Sequence, residues 1–173
     1  MRNGLAEIED AGILGYANDM GMFGVSVSYQ PGGTGMSESS KSGVISASPT
    51  DGVSVFLGMG DKAGASVNTG TDLMTMGGTY TAGAITAGLQ LTDIDVSAVN
   101  GDNERLHAAV SFAVNENMSV SFGMSTVEFD NSAKVDQEDS GFAISYTMGS
   151  MTIAAFANAS DNVGGTSGTD DSV

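Results

Sequence analysis

Few residues in this chain have side chains that do chemistry, and the most distinctive are one Arg and one His two positions apart. Arg105 and His107 stand in an alternating segment, so both side chains point to the same side of a strand. His107 is the only histidine, and acid–base catalysis would need a partner within hydrogen-bond reach. The sequence supplies none, and a lone His in a strand is more often a plain polar residue. The chain is therefore not expected to be an enzyme.

Clustered carboxylates are the second candidate for chemistry, because hard oxygen ligands suit Ca²⁺. The clusters are Asp93 with Asp95, Asp102 with Glu104, Asp136 with Glu138 and Asp139, and Asp170 with Asp171. None of them fits a twelve-residue helix–loop–helix site or the calcium nonapeptide repeat. Weak, non-stoichiometric calcium binding is the prediction for Asp93, Asp95, Asp136, Glu138 and Asp139. The alternative is solvated loop charge that keeps the surface soluble.

Composition limits the classes of function. The chain has 173 residues, with 21 acidic against 5 basic side chains and a formal net charge of −16. Such a chain repels phosphate backbones, so nucleic-acid binding is excluded. It has no Cys, which excludes disulfides and thiolate metal sites. No stretch approaches the roughly 18 consecutive apolar residues of a transmembrane helix.

Alternation with period two is the main structural signal. In residues 23–30, 118–125 and 141–148, one face is aromatic or aliphatic and the other is small and polar. This pattern is typical of strands with one apolar and one polar side. It predicts that the polar side carries Arg105, His107, Gln90, Ser26, Ser28, Ser119 and Ser121. Three aromatics fall on the polar side against the pattern, and the alternatives that explain them are bulges, slipped register or packing under a loop: Phe56, Phe129 and Phe156.

Turn signals divide the chain into five hairpins, or about ten strands. Short reversals fall at 18–21, 49–52, 81–84, 115–118 and 148–150, and longer polar segments lie at 31–42, 61–72, 92–104, 130–139 and 159–173. Short turns alternate strictly with long loops, as in a barrel inserted into a membrane from one side. Five aromatics near the short turns suggest an interfacial girdle: Tyr16, Phe23, Tyr80, Phe112 and Tyr146. The prediction is an all-β, antiparallel transmembrane β-barrel.

Two hairpins share the pattern Tyr-x-x-Gly-x-Ile/Met-Thr, at Tyr80–Thr86 and Tyr146–Thr152, and acidic Gly/Ser/Asp loops separate the hairpins. In these features the chain resembles the general porins of Gram-negative bacteria, most closely the alphaproteobacterial type. The resemblance implies a sixteen-stranded barrel, a homotrimer, and passage of small hydrophilic solutes across the outer membrane. It also implies that Glu7, Glu9 and Asp10, within residues 1–10, form the tail of an inward-folded constriction loop facing Arg105 and His107. Alternatively, Arg105 merely pairs with Glu104 or loop carboxylates.

Two departures from the family pattern indicate an internal fragment. About ten strands are visible where the family has sixteen, and the chain stops at Asp170-Asp171-Ser172-Val173 instead of an aromatic residue. Small residues on the polar side could not fill a closed ten-stranded barrel, and they suit a wider aqueous bore. Residues 1–173 are thus expected to form one partial barrel domain.

The expected function is a passive diffusion pore for small hydrophilic solutes and ions, embedded in outer-membrane lipid. The alternative is a secreted or surface adhesin, such as a β-solenoid with acidic loops, although solenoid repeats are shorter and their connections equal. Most acidic residues lie in the predicted loops, and the screening length at physiological salt is about 8 Å. Loop carboxylates should therefore enrich cations at the mouth and give a modest cation preference. No cofactor is expected beyond weakly bound calcium.

Overall fold

The computed structural model describes residues 13–32, 39–64, 70–98 and 100–172, and these form one antiparallel sheet. Its eleven strands follow one another in chain order, each paired with the next. The strands are β1 (Leu14–Asp19), β2 (Phe23–Gln30), β3 (Ser40–Thr50), β4 (Val53–Lys62), β5 (Thr71–Ala82), β6 (Ile85–Val96), β7 (Asn103–Asn115), β8 (Met118–Phe129), β9 (Gln137–Met148), β10 (Met151–Asp161) and β11 (Asp171–Ser172). The predicted meander of about ten strands is confirmed, with a two-residue strand added at the end.

Pairing register sorts the side chains into two faces. Cross-strand partners share a face, and successive residues along a strand alternate between faces. One row of partners runs Ile45, Leu57, Met76 and Leu91, and a row on the opposite side runs Gln90, His107, Ser125 and Asp139. We call the side that holds the first row the apolar face and the side that holds the second row the polar face.

Connections alternate between short and long, as the sequence predicted. Tight turns join β3 to β4, β5 to β6 and β9 to β10, and each contains a Gly with positive φ: Gly52 (77°), Gly83 (58°) and Gly149 (62°). Glycine is favoured there because a Cβ disfavours the left-handed region. All the short connections lie at one end of the sheet, the turn end. The longer ones lie at the other, the loop end.

Hydrophobic side chains of this sheet have no interior to fill. Within the described ranges, Ala63 is the one buried hydrophobic residue, whereas Leu14, Ile45, Leu89 and Ile153 on the apolar face are roughly half or more exposed. The predicted aromatic set near the short turns also lies on this face. So large an exposed apolar surface marks contact with a partner or with lipid. No helix among the described residues is long and apolar enough to cross a membrane.

Strands extend further toward the loop end than the sequence indicated. The predicted loop at 92–104 shrinks to 97–102, because β6 continues to Val96 and β7 begins at Asn103. Several carboxylates assigned to loops therefore lie in strands: Asp61, Asp72, Asp93, Asp95, Glu104, Glu138, Asp139 and Asp161. Acidic residues are poor strand formers, and pairing with neighbouring strands overrides that preference here.

The three aromatics on the polar face have different surroundings. Phe56 pairs in register with Ser46 and Gly77, so no bulge explains it. Phe129 packs under a loop, as one of the predicted alternatives proposed: its ring lies 4.1 Å from the Lys134 ammonium. Phe156 is 63% exposed.

Candidate functional site

The polar face is rich in small polar residues, and all seven predicted lining residues lie on it. Ser26 and Ser28 are on β2, Gln90 on β6, Arg105 and His107 on β7, and Ser119 and Ser121 on β8. The register places each of them opposite other residues of that face.

Hydroxyl groups bridge neighbouring strands along this face. Ser28 Oγ lies 2.7 Å from Ser42 Oγ, and Ser119 Oγ lies 2.8 Å from Ser145 Oγ. The Gln90 amide donates to the Thr75 and Thr92 hydroxyls at 3.3 and 3.2 Å. Short hydroxyl side chains satisfy one another close to the wall, so they leave the space above the face open.

A mixed polar row crosses β6 to β10: Gln90, His107, Ser125, Asp139 and Ser160. The Ser125 hydroxyl donates to Asp139 Oδ2 at 2.9 Å, and the Gln137 amide donates to both carboxylate oxygens at 2.9 and 3.2 Å. Ser125 lies between the His and the Asp in this row, and its hydroxyl proton is donated to the carboxylate. That geometry does not activate a serine nucleophile, which needs the base to accept its proton.

Arg105 lies one residue pair toward the loop end from His107 on the same strand. Its Nε donates to the Asn103 Oδ1 at 2.9 Å. Glu104 is on the opposite face of β7, where it pairs with Asp93 and Glu128. The alternative in which Arg105 pairs with Glu104 is therefore disfavoured by the register.

The outer ends of the strands carry carboxylates on the apolar face, beyond the last large apolar residues. They are Asp61, Asp72, Asp93, Asp95, Glu104, Glu128, Glu138 and Asp161, and they pair across strands, for example Asp72 with Asp95. Asp95 is exposed in this region outside the apolar band, and the neighbouring Asp93 carboxylate is the main cause that raises its pKa. Partial desolvation and the Asp102 and Asp72 carboxylates raise it further. We call this set the carboxylate belt.

Calcium candidates are distributed over both faces. Glu138 belongs to the carboxylate belt, whereas Asp139 is on the polar face, so adjacent positions in that cluster point apart. Asp93 and Asp95 share the apolar face. Among the described residues, no group of three or more His, Cys, Asp or Glu side chains is arranged to hold a metal ion. Glu7, Glu9 and Asp10, together with the predicted loop tail at 1–10, lie outside the described residues.

Two connections at the loop end pack on each other, which sequence reasoning missed. Gly164 N donates to Gln137 Oε1 at 2.8 Å, and the Asn162 amide donates to the Asp136 carbonyl at 3.2 Å. Gln137 thus contacts both this loop pair and Asp139. Gln137, Asp139 and Gly141 occupy every second position along the sequence, and this alternation was the available signal that Gln137 and Asp139 share a face.

The open meander, with an exposed apolar face and a hydroxyl-rich polar face, defines the class of outer-membrane β-barrel proteins. A family model described as Gram-negative porin matches residues 3–167. The chain therefore belongs to the Gram-negative porin family, and its location is the outer membrane. The resemblance to Gram-negative porins stated from the sequence is confirmed, and the alphaproteobacterial type stays a prediction.

Solved structures of similar fold include an anion-selective porin from Comamonas acidovorans, with a TM-score of 0.69 and 14% identity over 87% of this chain and 48% of that chain. The outer-membrane expressed OmpT of Vibrio cholerae gives a TM-score of 0.67 and 17% identity over 86% of this chain and 54% of that chain. In-vitro folded OmpT of the same organism gives a TM-score of 0.68 and 16% identity over 92% of this chain and 58% of that chain. The chain spans about half the length of these proteins. A comparison with curated proteins found no match.

Proposed function

We propose that the full-length protein is a passive diffusion pore for small hydrophilic solutes and ions. The observation that carries this proposal is the division of the sheet into an exposed apolar face and a face rich in Gly, Ala, Ser and Thr. In a closed barrel of this type, the apolar face contacts lipid and the polar face borders water. Small side chains on the polar face leave a wide bore, because larger ones would fill it.

A modest cation preference is part of the proposal, and its source differs from the one inferred from sequence alone. Much of the acidic charge is in the carboxylate belt, on the lipid-facing side of the wall, and not in loops over the mouth. Because the screening length is about 8 Å, the belt charges still attract cations at the rim of the pore, but more weakly than charges inside the bore would. On the polar face, Asp139 favours cations, and Arg105 opposes them. The similar Comamonas acidovorans porin is anion-selective, so selectivity here is argued from this chain's own charges.

Membership in the porin family favours a channel, and the Ser125–Asp139 arrangement lacks the geometry of a catalytic triad. The alternative of a surface adhesin loses support from the same family match.

Three further points belong to the proposal. A homotrimer and a constriction loop ending near Asp10 follow from family resemblance. Calcium binding at Asp93, Asp95, Asp136, Glu138 and Asp139 would be weak, because the structure separates Glu138 from Asp139 by face.

The decisive experiment is planar-bilayer conductance of the purified full-length protein. Stable, ohmic conductance in KCl is expected, with a reversal potential in a salt gradient that indicates K⁺ over Cl⁻. Absence of conductance in a protein that shows heat-modifiable gel migration would refute the pore. Conductance with an anion-selective reversal potential would refute only the cation preference.

A further inference from the structure

An aromatic side chain lies along the polar wall at β4, where alternation predicts a small polar residue. The register places Phe56 on the polar face, between Ser46 of β3 and Gly77 of β5. A Cβ at Gly77 would lie 2.9 Å from Phe56 Cζ and 3.0 Å from Phe56 Cε1. Because the far end of the ring stands where a side chain at position 77 would begin, the ring reclines across β5.

Gly77 provides the space for this arrangement. An added Cβ there would also lie 2.6 Å from the Leu89 carbonyl oxygen, so a larger residue would meet both the ring and the next strand. Aromatic side chains cover glycines in sheets in this way, and such cover is a structural role. Cover alone does not require the ring to border open space, which Phe56 does.

An open depression of about 620 Å³ on the polar face has Phe56 at one end. Thr79, Gly88 and Gln90 line it beside the ring. The Gln90 amide nitrogen donates to two threonine hydroxyls at 3.3 and 3.2 Å, which fixes this side chain and leaves its oxygen as an acceptor. The Thr79 hydroxyl can donate and accept, and Gly88 leaves the space between these two groups open.

Charged groups of the depression lie farther along it. His107 is on β7, about 9.6 Å from β5 at the usual strand spacing, and Asp139 is two strands beyond. The end of the depression at Phe56 is therefore lined by an aromatic ring and neutral hydrogen-bonding groups. We call Phe56, Thr79 and Gln90 the ring site.

These groups select among solutes by their chemistry. The Phe56 ring reclines over β5 and Gln90 belongs to β6, so the two lie about one strand spacing, about 4.8 Å, apart. One six-membered ring with its hydroxyls spans that distance. A flat aromatic solute would cover Thr79 and Gln90 without pairing them, and unpaired polar groups are costly. An open-chain polyol must be ordered before it presents one apolar side, and that ordering weakens its binding.

We propose that the ring site is a transient binding site for neutral solutes of the pyranose sugar class. The C–H face of the sugar packs on the Phe56 ring, and its hydroxyls exchange hydrogen bonds with Gln90 and Thr79. Such a site speeds permeation when binding favours entry but is weak enough for release. This inference rests on the proposed pore, and it adds a solute preference to it.

The test is swelling of phosphatidylcholine vesicles that contain the full-length protein, in D-glucose and in sorbitol, the open-chain alcohol with the same number of carbons. The ratio of the two rates cancels differences in the number of inserted pores. Phe56→Leu keeps an apolar side chain beside Gly77 but removes the aromatic surface, and it should lower the glucose-to-sorbitol ratio about threefold. Gln90→Met should lower it by a smaller factor of about two, because sorbitol also loses hydrogen bonds to Gln90.

Phe156→Leu is the matched control, since Phe156 is also on the polar face, is 63% exposed and lies outside the depression. Its ratio should stay at the wild-type value.

An unchanged ratio in Phe56→Leu, or an equal fall in Phe156→Leu, overturns the ring site and leaves the pore intact. A lower urea midpoint with an unchanged ratio assigns Phe56 to covering Gly77 and also overturns the site. If Phe56→Leu fails to insert, Gln90→Met decides. Vesicles of wild-type protein that swell in neither solute overturn the pore proposal itself, and the ring site with it.

Discussion

Replacing Gly52 by Ala should damage the turn between β3 and β4 more than the same change damages the turn between β5 and β6. Gly52 and Gly83 both have positive φ, 77° and 58°. An added Cβ at Gly52 would overlap the Thr81 carbonyl oxygen, whereas at Gly83 nothing lies within 4 Å. The two variants therefore share the backbone strain and differ in the clash.

The expected free energies follow from these contacts. A non-glycine residue in the left-handed region costs about 1 kcal/mol, and both variants incur that cost. At Gly52 the turn must also move away from Thr81, whose N–H donates to the Gly52 carbonyl at 2.7 Å. Weakening that bond adds about 1 kcal/mol, and relief of the overlap adds a similar amount. Gly52→Ala should therefore be destabilised by about 3 kcal/mol and Gly83→Ala by about 1 kcal/mol.

Urea unfolding of the refolded full-length protein, followed by heat-modifiable gel migration, measures this difference. With a slope of about 3 kcal/mol per molar urea, the midpoint of Gly52→Ala should lie about 0.7 M below that of Gly83→Ala. Equal midpoints would refute the reasoning, because the shared φ strain would then explain the whole effect. Gly21→Ala, with φ 81° and no atom within 4 Å, serves as a second clash-free control.

Four further outcomes are expected. Leu89→Arg, on the apolar face, should destabilise the inserted protein by about 2–4 kcal/mol in a urea titration. Ser121→Arg, on the polar face, should leave the urea midpoint nearly unchanged and should lower the single-channel conductance. Ser28→Ala removes a cross-strand hydroxyl bond and should cost about 0.5–1 kcal/mol with little change in conductance. Arg105→Gln should raise the K⁺/Cl⁻ permeability ratio about twofold, since one charge about 8 Å away disfavours K⁺ and favours Cl⁻ by roughly 0.2 kcal/mol each after screening. An unchanged reversal potential would contradict this prediction. Neighbouring carboxylates raise the pKa of Asp95, so the folded state binds the proton of this group more tightly than the unfolded state. The free energy of unfolding therefore falls as the pH rises through the pKa of Asp95. Asp95→Asn should raise the urea midpoint at pH 7 and lose this advantage at acidic pH or in high salt.

Much of the fold could be predicted because alternation and turn chemistry are local. Each short turn was identified from its Gly, Asn or Asp residues, and the face of every predicted lining residue followed from counting by two along its strand. Loop lengths could not be predicted in the same way. They depend on how far partner strands continue to pair, and no local rule states that.

The surroundings of Asp139 show the same division between local and non-local information. Asp139 was read as one carboxylate of a loop cluster because Asp136, Glu138 and Asp139 are close in sequence. Its neighbours in space are Ser125, fourteen residues away, and the residues of β10, and only the register brings them together.

Alternation in fact continues through the segment that was assigned to a loop. Leu89, Leu91, Asp93 and Asp95 occupy every second position, and all four lie on one face of β6. The change from Leu to Asp marks where that face leaves the apolar band, because a carboxylate in the hydrocarbon region is costly and one at the headgroup level is not. In a sheet of this kind, a change in polarity at constant period therefore locates the edge of the membrane, whereas a loss of period locates the end of the strand. Treating the two signals separately would have placed Asp93, Asp95 and the rest of the carboxylate belt on the lipid-facing side of the wall from the sequence alone.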